Sequence, residues 1–316
     1  MKTKAILLSE HGEPAAVARC GEVELAPPAP GEVRVRVLFA PINPADINVL
    51  EGKYPVRPEL PGVPGVEGVG VVEESGEGFD AGTRVLLPHR FGTWREAGNV
   101  CAAELVRVPD DVPLAQAAML RINPATALCM LREFVRLEPN DWVLQNAANS
   151  AVGRCVIQMC RHYGWRSANV VRRAELVDEL LAEGADAVFV DEPGELPVRL
   201  ALNAVGGDSA VRLAGRLLDG GTIVTYGAMA RQPLKVPNGL LIFNDIVWRG
   251  FWVTRWYARA SAEERAALFD ELFELLRKGI ISTPIEATYP LTEIAQALAH
   301  AQQSKRAGKV LLRCSE

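Results

Sequence analysis

The chain has 316 residues, 49% of them hydrophobic and 23% charged, which is about two domains at roughly 150 residues each, with apolar material for a sizeable core. Its 34 basic and 39 acidic residues leave a net charge of −5. Such a balance offers no basic field to gather phosphate backbones or anionic lipid, so neither nucleic acid nor a membrane surface is an expected partner.

Met1-Lys2-Thr3-Lys4 runs straight into a strand-like AILL, and the apolar runs are short, such as LLIF at Leu240–Phe243. No signal-peptide core or cleavage site is legible there, and a cytoplasmic location is expected. Residues 1 to about 120 carry short strand patterns, for example VRVRV at Val33–Val37, punctuated by Gly and Pro with little helical periodicity. An antiparallel β domain is predicted.

Residues 141–259 change character and alternate short apolar strands with helical patterns, as βαβ units around a parallel sheet do. Trp142–Asn146 reads as the first strand, Val152, Val156, Cys160 and Tyr163 as one helix face, and Ala168–Val171 as the second strand. Leu176, Val177, Leu180 and Leu181 mark a helix stopped at Gly184; strands follow at Ala187–Val190, Leu200–Val205 and Thr222–Thr225, with a helix over Ser209–Leu218 between the last two. Ser261 with Glu264 three residues on is a capping box opening a long helix, which Gly279 closes. A short helix and the strand Lys309–Leu312 then return to the first domain.

Cys20, Cys101, Cys129, Cys155, Cys160 and Cys314 contain no C-x-x-C pair, and His11, His89, His162 and His300 are equally dispersed. No local metal motif is present, and the cysteines are read as reduced packing residues.

Where the first strand of the βαβ series ends, Ala148-Asn149-Ser150-Ala151-Val152-Gly153 occupies the place of a G-x-G-x-x-G turn. Small residues let the backbone approach a pyrophosphate, and the helix that follows offers free N–H groups and a positive dipole end. An ordinary strand-to-helix turn would carry similar residues. About twenty residues on, where NAD enzymes place an acid for the ribose 2′-hydroxyl, the chain has Arg172-Arg173. Guanidinium groups pair with a 2′-phosphate, which favours NADPH, although arginines also simply solvate loops. In the first domain, Asn43-Pro44-Ala45-Asp46 leads to Glu51-Gly52-Lys53-Tyr54-Pro55. A loop tyrosine can donate to a developing oxyanion or act as a general acid; it is also commonly a packing residue, just as Asp46 and Asn48 suit turns and caps. Trp94, Phe251, Trp252 and Trp256 suit either an apolar pocket or a core.

Together these segments resemble the zinc-free medium-chain dehydrogenase/reductases, and among them the mitochondrial-type 2-enoyl thioester reductases. N-P-x-D with G-x-Y (Asn43, Pro44, Asp46, Gly52, Tyr54) is shared with quinone oxidoreductases; QNAANSAVG from Gln145, INPATA from Ile122, LALNAVGG from Leu200, GGTIVTYGAMARQP from Gly220 and LLIFNDIVWRGFW from Leu240 are similar to the enoyl reductase subgroup. The resemblance covers roughly residues 30–312.

It implies an α/β fold, with a GroES-like, mainly antiparallel substrate and catalytic domain over residues 1–120 and 263–316. A Rossmann NADPH domain, a doubly wound parallel sheet, would span 121–262, and Rossmann sheets would join in a homodimer. Gly65-Val66-Glu67 stands where zinc-dependent relatives have Gly-His-Glu; valine cannot bind zinc, so no metal is implied and Glu67 is left as a structural acid. Tyr54 matches the catalytic tyrosine. Asn123, Asn149, Ser150, Ala151, Val152, Gly153, Arg172, Arg173, Tyr226, Gly227, Ala228, Met229, Phe251, Trp252, Val253 and Lys309 fall on NADPH-contacting positions, and Asn43, Trp94 and Trp256 on a substrate pocket. Ala174 stands where relatives carry a second basic residue. The implied reaction is NADPH-dependent reduction of an enoyl-CoA or an enoyl group on acyl carrier protein, in fatty acid metabolism. An NADPH:quinone oxidoreductase and a non-catalytic NADPH-binding redox sensor are the alternatives.

Overall fold

The computed structural model describes residues 1–315 and divides into two compact units. One comprises Met1–Ile122, Ala262–Arg277 and the chain from Ser282 onward; the other comprises Asn123–Ser261 and Lys278–Ile281.

In the first unit, β1 (Lys2–Leu8) and β2 (Ala18–Glu24) form an antiparallel pair flanking the short helix α1 (Pro14–Val17). The strand β3 (Glu32–Pro41) is followed by α2 (Pro44–Leu50), β4 (Val69–Val72), β5 (Arg84–Leu86), β6 (Ala97–Cys101), β7 (Val106–Arg107) and α3 (Leu114–Ala117). Alternation in β3 buries Val33, Val35 and Val37 on one face, and these join Trp94, Leu50 and Ile42 in the core.

In the second unit, α4 (Asn123–Glu133) precedes β8 (Trp142–Asn146), α5 (Ala151–Tyr163), β9 (Arg166–Val171), α6 (Val177–Ala182) and β10 (Ala187–Val190). Then come β11 (Val198–Asn203), α7 (Gly207–Ala214), β12 (Leu217–Thr225), α8 (Asn238–Ile242), β13 (Val247–Gly250) and α9 (Val253–Arg259). The six strands are parallel in the order β10-β9-β8-β11-β12-β13. Ala210 and Leu213 of α7 pack with Leu144, Ala201 and Ile223, whereas Ile157 of α5 and Leu180 of α6 pack with Val171. Helices therefore cover both faces, the doubly wound arrangement.

The chain then re-enters the first unit with α10 (Ala262–Arg277), β14 (Ile285–Pro290), α11 (Ile294–Ala301) and β15 (Lys309–Arg313). β15 pairs with β3, completing a sheet with the path β14-β15-β3-β4-β5-β7, to which β6 adds along β3. Among the described residues of this sheet, β14–β15 is the one parallel pair.

Two local expectations need correction. The helix predicted over Ser209–Leu218 ends at Ala214, because Leu217 and Leu218 already belong to a nine-residue β12 that crosses Gly220 and Gly221; two glycines disguised the strand. Four cysteines are buried, but Cys20 is half-buried and Cys101 is exposed, since β6 ends on the solvent side.

Candidate active site

The candidate nucleotide site of the second unit lies at the carboxyl edge of the parallel sheet. Strand order reverses between β8 and β11, and at such a switch point the loops diverge and leave a crevice. Asn149–Gly153 follow β8, Arg172 and Arg173 follow β9, Tyr226–Met229 follow β12 and Phe251–Val253 follow β13. In a parallel sheet these four groups necessarily share one edge. Asn123 opens α4 in the same unit and is buried.

Ser150 caps α5, its hydroxyl accepting from Gly153 N at 3.1 Å. A Cβ on Gly153 would lie 2.4 Å from the Ala148 carbonyl oxygen, so only glycine allows the helix to start this close to the strand. This close approach and the open first turn fit a pyrophosphate. Beneath it Gln145 Nε2 donates to the Gly153 carbonyl and to Asn169 Oδ1, both at 2.8 Å. Beside it Asn146 Nδ2 donates to Asn203 Oδ1 at 2.9 Å and Asn146 Oδ1 accepts from Ala204 N at 2.7 Å, while Asn203 Oδ1 also takes Gly206 N at 2.9 Å. These amides lock the loops after β8 and β11 together. Sequence reasoning missed them; the available signal was polar residues at the ends of otherwise apolar strands.

Arg172 is exposed, whereas Arg173 already pairs with Glu175 at 3.6 Å. Burial pushes the Tyr226 hydroxyl upward, with the Ser150 hydroxyl acting in the opposite sense. Phe251 is buried with its ring edge-on to Phe134 at 6.0 Å. Trp256, expected on a pocket wall, is 8% exposed and donates its indole N–H to Glu133.

A second candidate site lies in the first unit, where Tyr54 follows α2. Gly52 adopts φ +71° to turn the chain, and Lys53 N and Tyr54 N both donate to the Asn48 carbonyl, at 2.8 and 3.1 Å. Tyr54 is half-buried, its ring packed against the core and 5.2 Å beneath the Arg90 guanidinium. Trp94, the other expected pocket residue, is 0% exposed in the core, and its backbone N–H donates to the Pro64 carbonyl at 3.1 Å.

Next to this loop four polar side chains are buried together. Asp46 accepts from Asn43 N at 2.8 Å and from Val66 N at 3.1 Å, so it is the third-position acid of the capping box that Asn43 opens at the start of α2, and also a tie to the Val66 segment. Glu67 accepts from Asn43 Nδ2 at 2.8 Å and from Ile122 N at 2.9 Å, the structural role anticipated for it. Lys309, expected at the cofactor, donates to Asn43 Oδ1. Burial raises both carboxyls to about 7, opposed by the Lys309 ammonium and by the hydrogen bonds they accept. Among the described residues no group of three His, Cys, Asp or Glu side chains is placed to hold a metal.

Residues 29–115 match the alcohol dehydrogenase GroES-like domain and residues 177–312 the zinc-binding dehydrogenase family. An enoyl-[acyl-carrier-protein] reductase, mitochondrial, of Xenopus tropicalis is 40% identical over 96% of this chain and 93% of its own length. The chain belongs to the medium-chain dehydrogenase/reductase family. It is an oxidoreductase. Among solved structures, the ETR1P/NADP/crotonyl-CoA complex shares 27% identity over 99% of this chain and 100% of that one, with a TM-score of 0.89. The mitochondrial Etr1p/Etr2p heterodimer of Candida tropicalis gives 28%, the same coverage and 0.90. A Bacillus thuringiensis protein assigned to the NADPH:quinone reductases gives 30%, 99% of both chains and 0.91.

One expectation is overturned here. Enoyl reductase relatives from Xenopus, human and Dictyostelium are mitochondrial, which points away from the cytoplasm. Composition and the absence of a legible signal core could not decide this, because folded matrix and cytoplasmic enzymes meet similar solvent and are sorted by other means.

Proposed function

We propose that this enzyme reduces the 2,3 double bond of trans-2-enoyl thioesters with NADPH. The observation that carries the reading is the 40% identity to an enoyl reductase along nearly the whole of both chains, together with a G-x-Y loop that presents Tyr54 beside a cation.

NADPH supplies a hydride to the β-carbon when bound. The protein's part is to bind and orient. The first turn of α5 and the Ser150 cap receive the pyrophosphate, and Arg172 with Arg173 receives the 2′-phosphate. Reduction at the β-carbon leaves an enolate whose charge gathers on the thioester oxygen, and protonation at the α-carbon completes the reaction. Tyr54 donates a hydrogen bond to that oxygen or helps to supply the proton. On this reading the first unit handles substrate and the second handles cofactor.

A homodimer joined along the outer edge of β13 belongs to the same proposal. That edge strand has Val247 40% exposed, and Ile242 and Phe243 before it are 70% and 81% exposed, apolar area that a second copy would cover.

An NADPH oxidation assay with crotonyl-CoA and with a quinone tests the reading. Turnover of crotonyl-CoA that falls by about 10²-fold or more in Tyr54→Phe, with NADPH binding retained, is the expected result. Turnover of the quinone alone would establish the quinone reductase alternative, and oxidation of NADPH by neither acceptor would leave the redox-sensor reading.

A further inference from the structure

Arg90 stands in the connection between β5 and β6, at φ +67°, a conformation that is costly for a residue with a side chain. Its backbone is nonetheless anchored: Arg90 N donates to the Val66 carbonyl at 2.8 Å, and two residues on Gly92 N donates to the Gly65 carbonyl at 3.1 Å. Val66 is held in turn by Asp46 of α2, the helix that leads into the tyrosine loop. The Arg90 side chain crosses to that loop. Its guanidinium carbon lies 5.2 Å from the Tyr54 ring centroid and one terminal nitrogen donates to the Val56 carbonyl, two residues beyond the tyrosine. The other terminal nitrogen is buried without a hydrogen-bond partner. A strained backbone and an unmatched buried donor are two local penalties that packing alone does not require, and such penalties collect at functional sites.

We propose that Arg90 is a positioning residue for Tyr54, its guanidinium gripping the loop at Val56 and covering the phenol ring so that the hydroxyl meets the acyl thioester in one orientation. The proposal rests on the reading of Tyr54 as the group that meets the thioester oxygen. Core packing holds one part of the Tyr54 ring, and the guanidinium adds a directional contact to it. The loop's first half hangs from the Asn48 carbonyl, and Arg57 closes it by donating to the Gly52 carbonyl at 2.8 Å, but neither contact touches the ring. An arginine can stack and donate in the plane at once, which a lysine cannot do.

The test is a double-mutant cycle of Arg90→Met with Tyr54→Phe, read by kcat and KM for crotonyl-CoA, by NADPH affinity and by thermal melting. Arg90→Met alone is expected to lower kcat about tenfold to a hundredfold, the scale of a misplaced catalytic group, with unchanged NADPH affinity. In the Tyr54→Phe background the same change should lower kcat less than about threefold, because there is no hydroxyl left to aim. Arg90→Lys should recover only part of the loss, and it carries the cycle if the methionine variant does not fold. An unchanged kcat in Arg90→Met, or equal losses in both backgrounds, would overturn the proposal. Wild-type kcat in Tyr54→Phe would instead sink the reading of Tyr54 beneath it.

Discussion

Replacing Lys309 by methionine removes the ammonium from a site where Asp46 is 1% exposed, Glu67 0% and Lys309 itself 6%. Two carboxyls then share one buried space with amide donors, and the Arg90 charge still acts on Asp46. Taking one partner from a buried ionic cluster costs about 3–5 kcal/mol, and in a protein of this size each kcal/mol lowers Tm by roughly 2–4 °C, so a fall of roughly 6–20 °C is expected at pH 8. The sign with pH follows from burial. Both folded-state pKa values are raised to about 7, above those of the unfolded chain near about 4. Between these limits the folded state binds the extra protons, so the favourable contribution is complete below the unfolded pKa and is lost as pH rises through the folded one. Without Lys309 the carboxyls hold their protons still more tightly, and at pH 5 both are neutral, so the loss should shrink to less than half of that at pH 8. Circular dichroism melts of both proteins at pH 5 and pH 8 measure it. Equal losses at the two pH values, or a variant as stable as its parent at pH 8, would refute the electrostatic account of the cluster.

The cofactor half gives further expectations. Arg172→Ala should weaken NADPH binding about 10–100-fold and NADH binding little, by fluorescence titration. Arg173→Ala should do less, since Glu175 already engages that arginine. Gly153→Ala sets a Cβ 2.4 Å from a backbone oxygen; loss of NADPH binding is expected, and an unaltered dissociation constant would mean that the α5 turn does not hold the cofactor. Phe243→Asp should give a folded monomer in sedimentation velocity, because an 81% exposed ring contributes little to the protomer itself.

Much of the architecture was legible because it follows from periodicity. VRVRV at Val33–Val37 buries alternate residues as a half-covered strand must, and the short apolar runs from Trp142 onward become the parallel sheet. The strand-to-helix turn at Asn149–Gly153 was legible too, since so close an approach of α5 to the end of β8 demands a small residue there. One failure came where local signals were mixed, since Gly220 and Gly221 hid the extension of β12; for Trp94 the residue type left core and pocket open, and the side chain is buried in the core.

Local sequence therefore determined the two kinds of unit, the strand-to-helix turn and the arginines after β9, and the family resemblance marked Val66 as standing where zinc-dependent relatives have a ligand. It could not determine who meets whom. Lys309 reaches Asn43 only because β15 returns to pair with β3, and Arg90 covers Tyr54 only because its loop is tied to Val66. Those contacts join segments far apart in the chain, and their strength depends on burial, which raises carboxyl pKa values and confines a guanidinium in ways that no spacing in the sequence records.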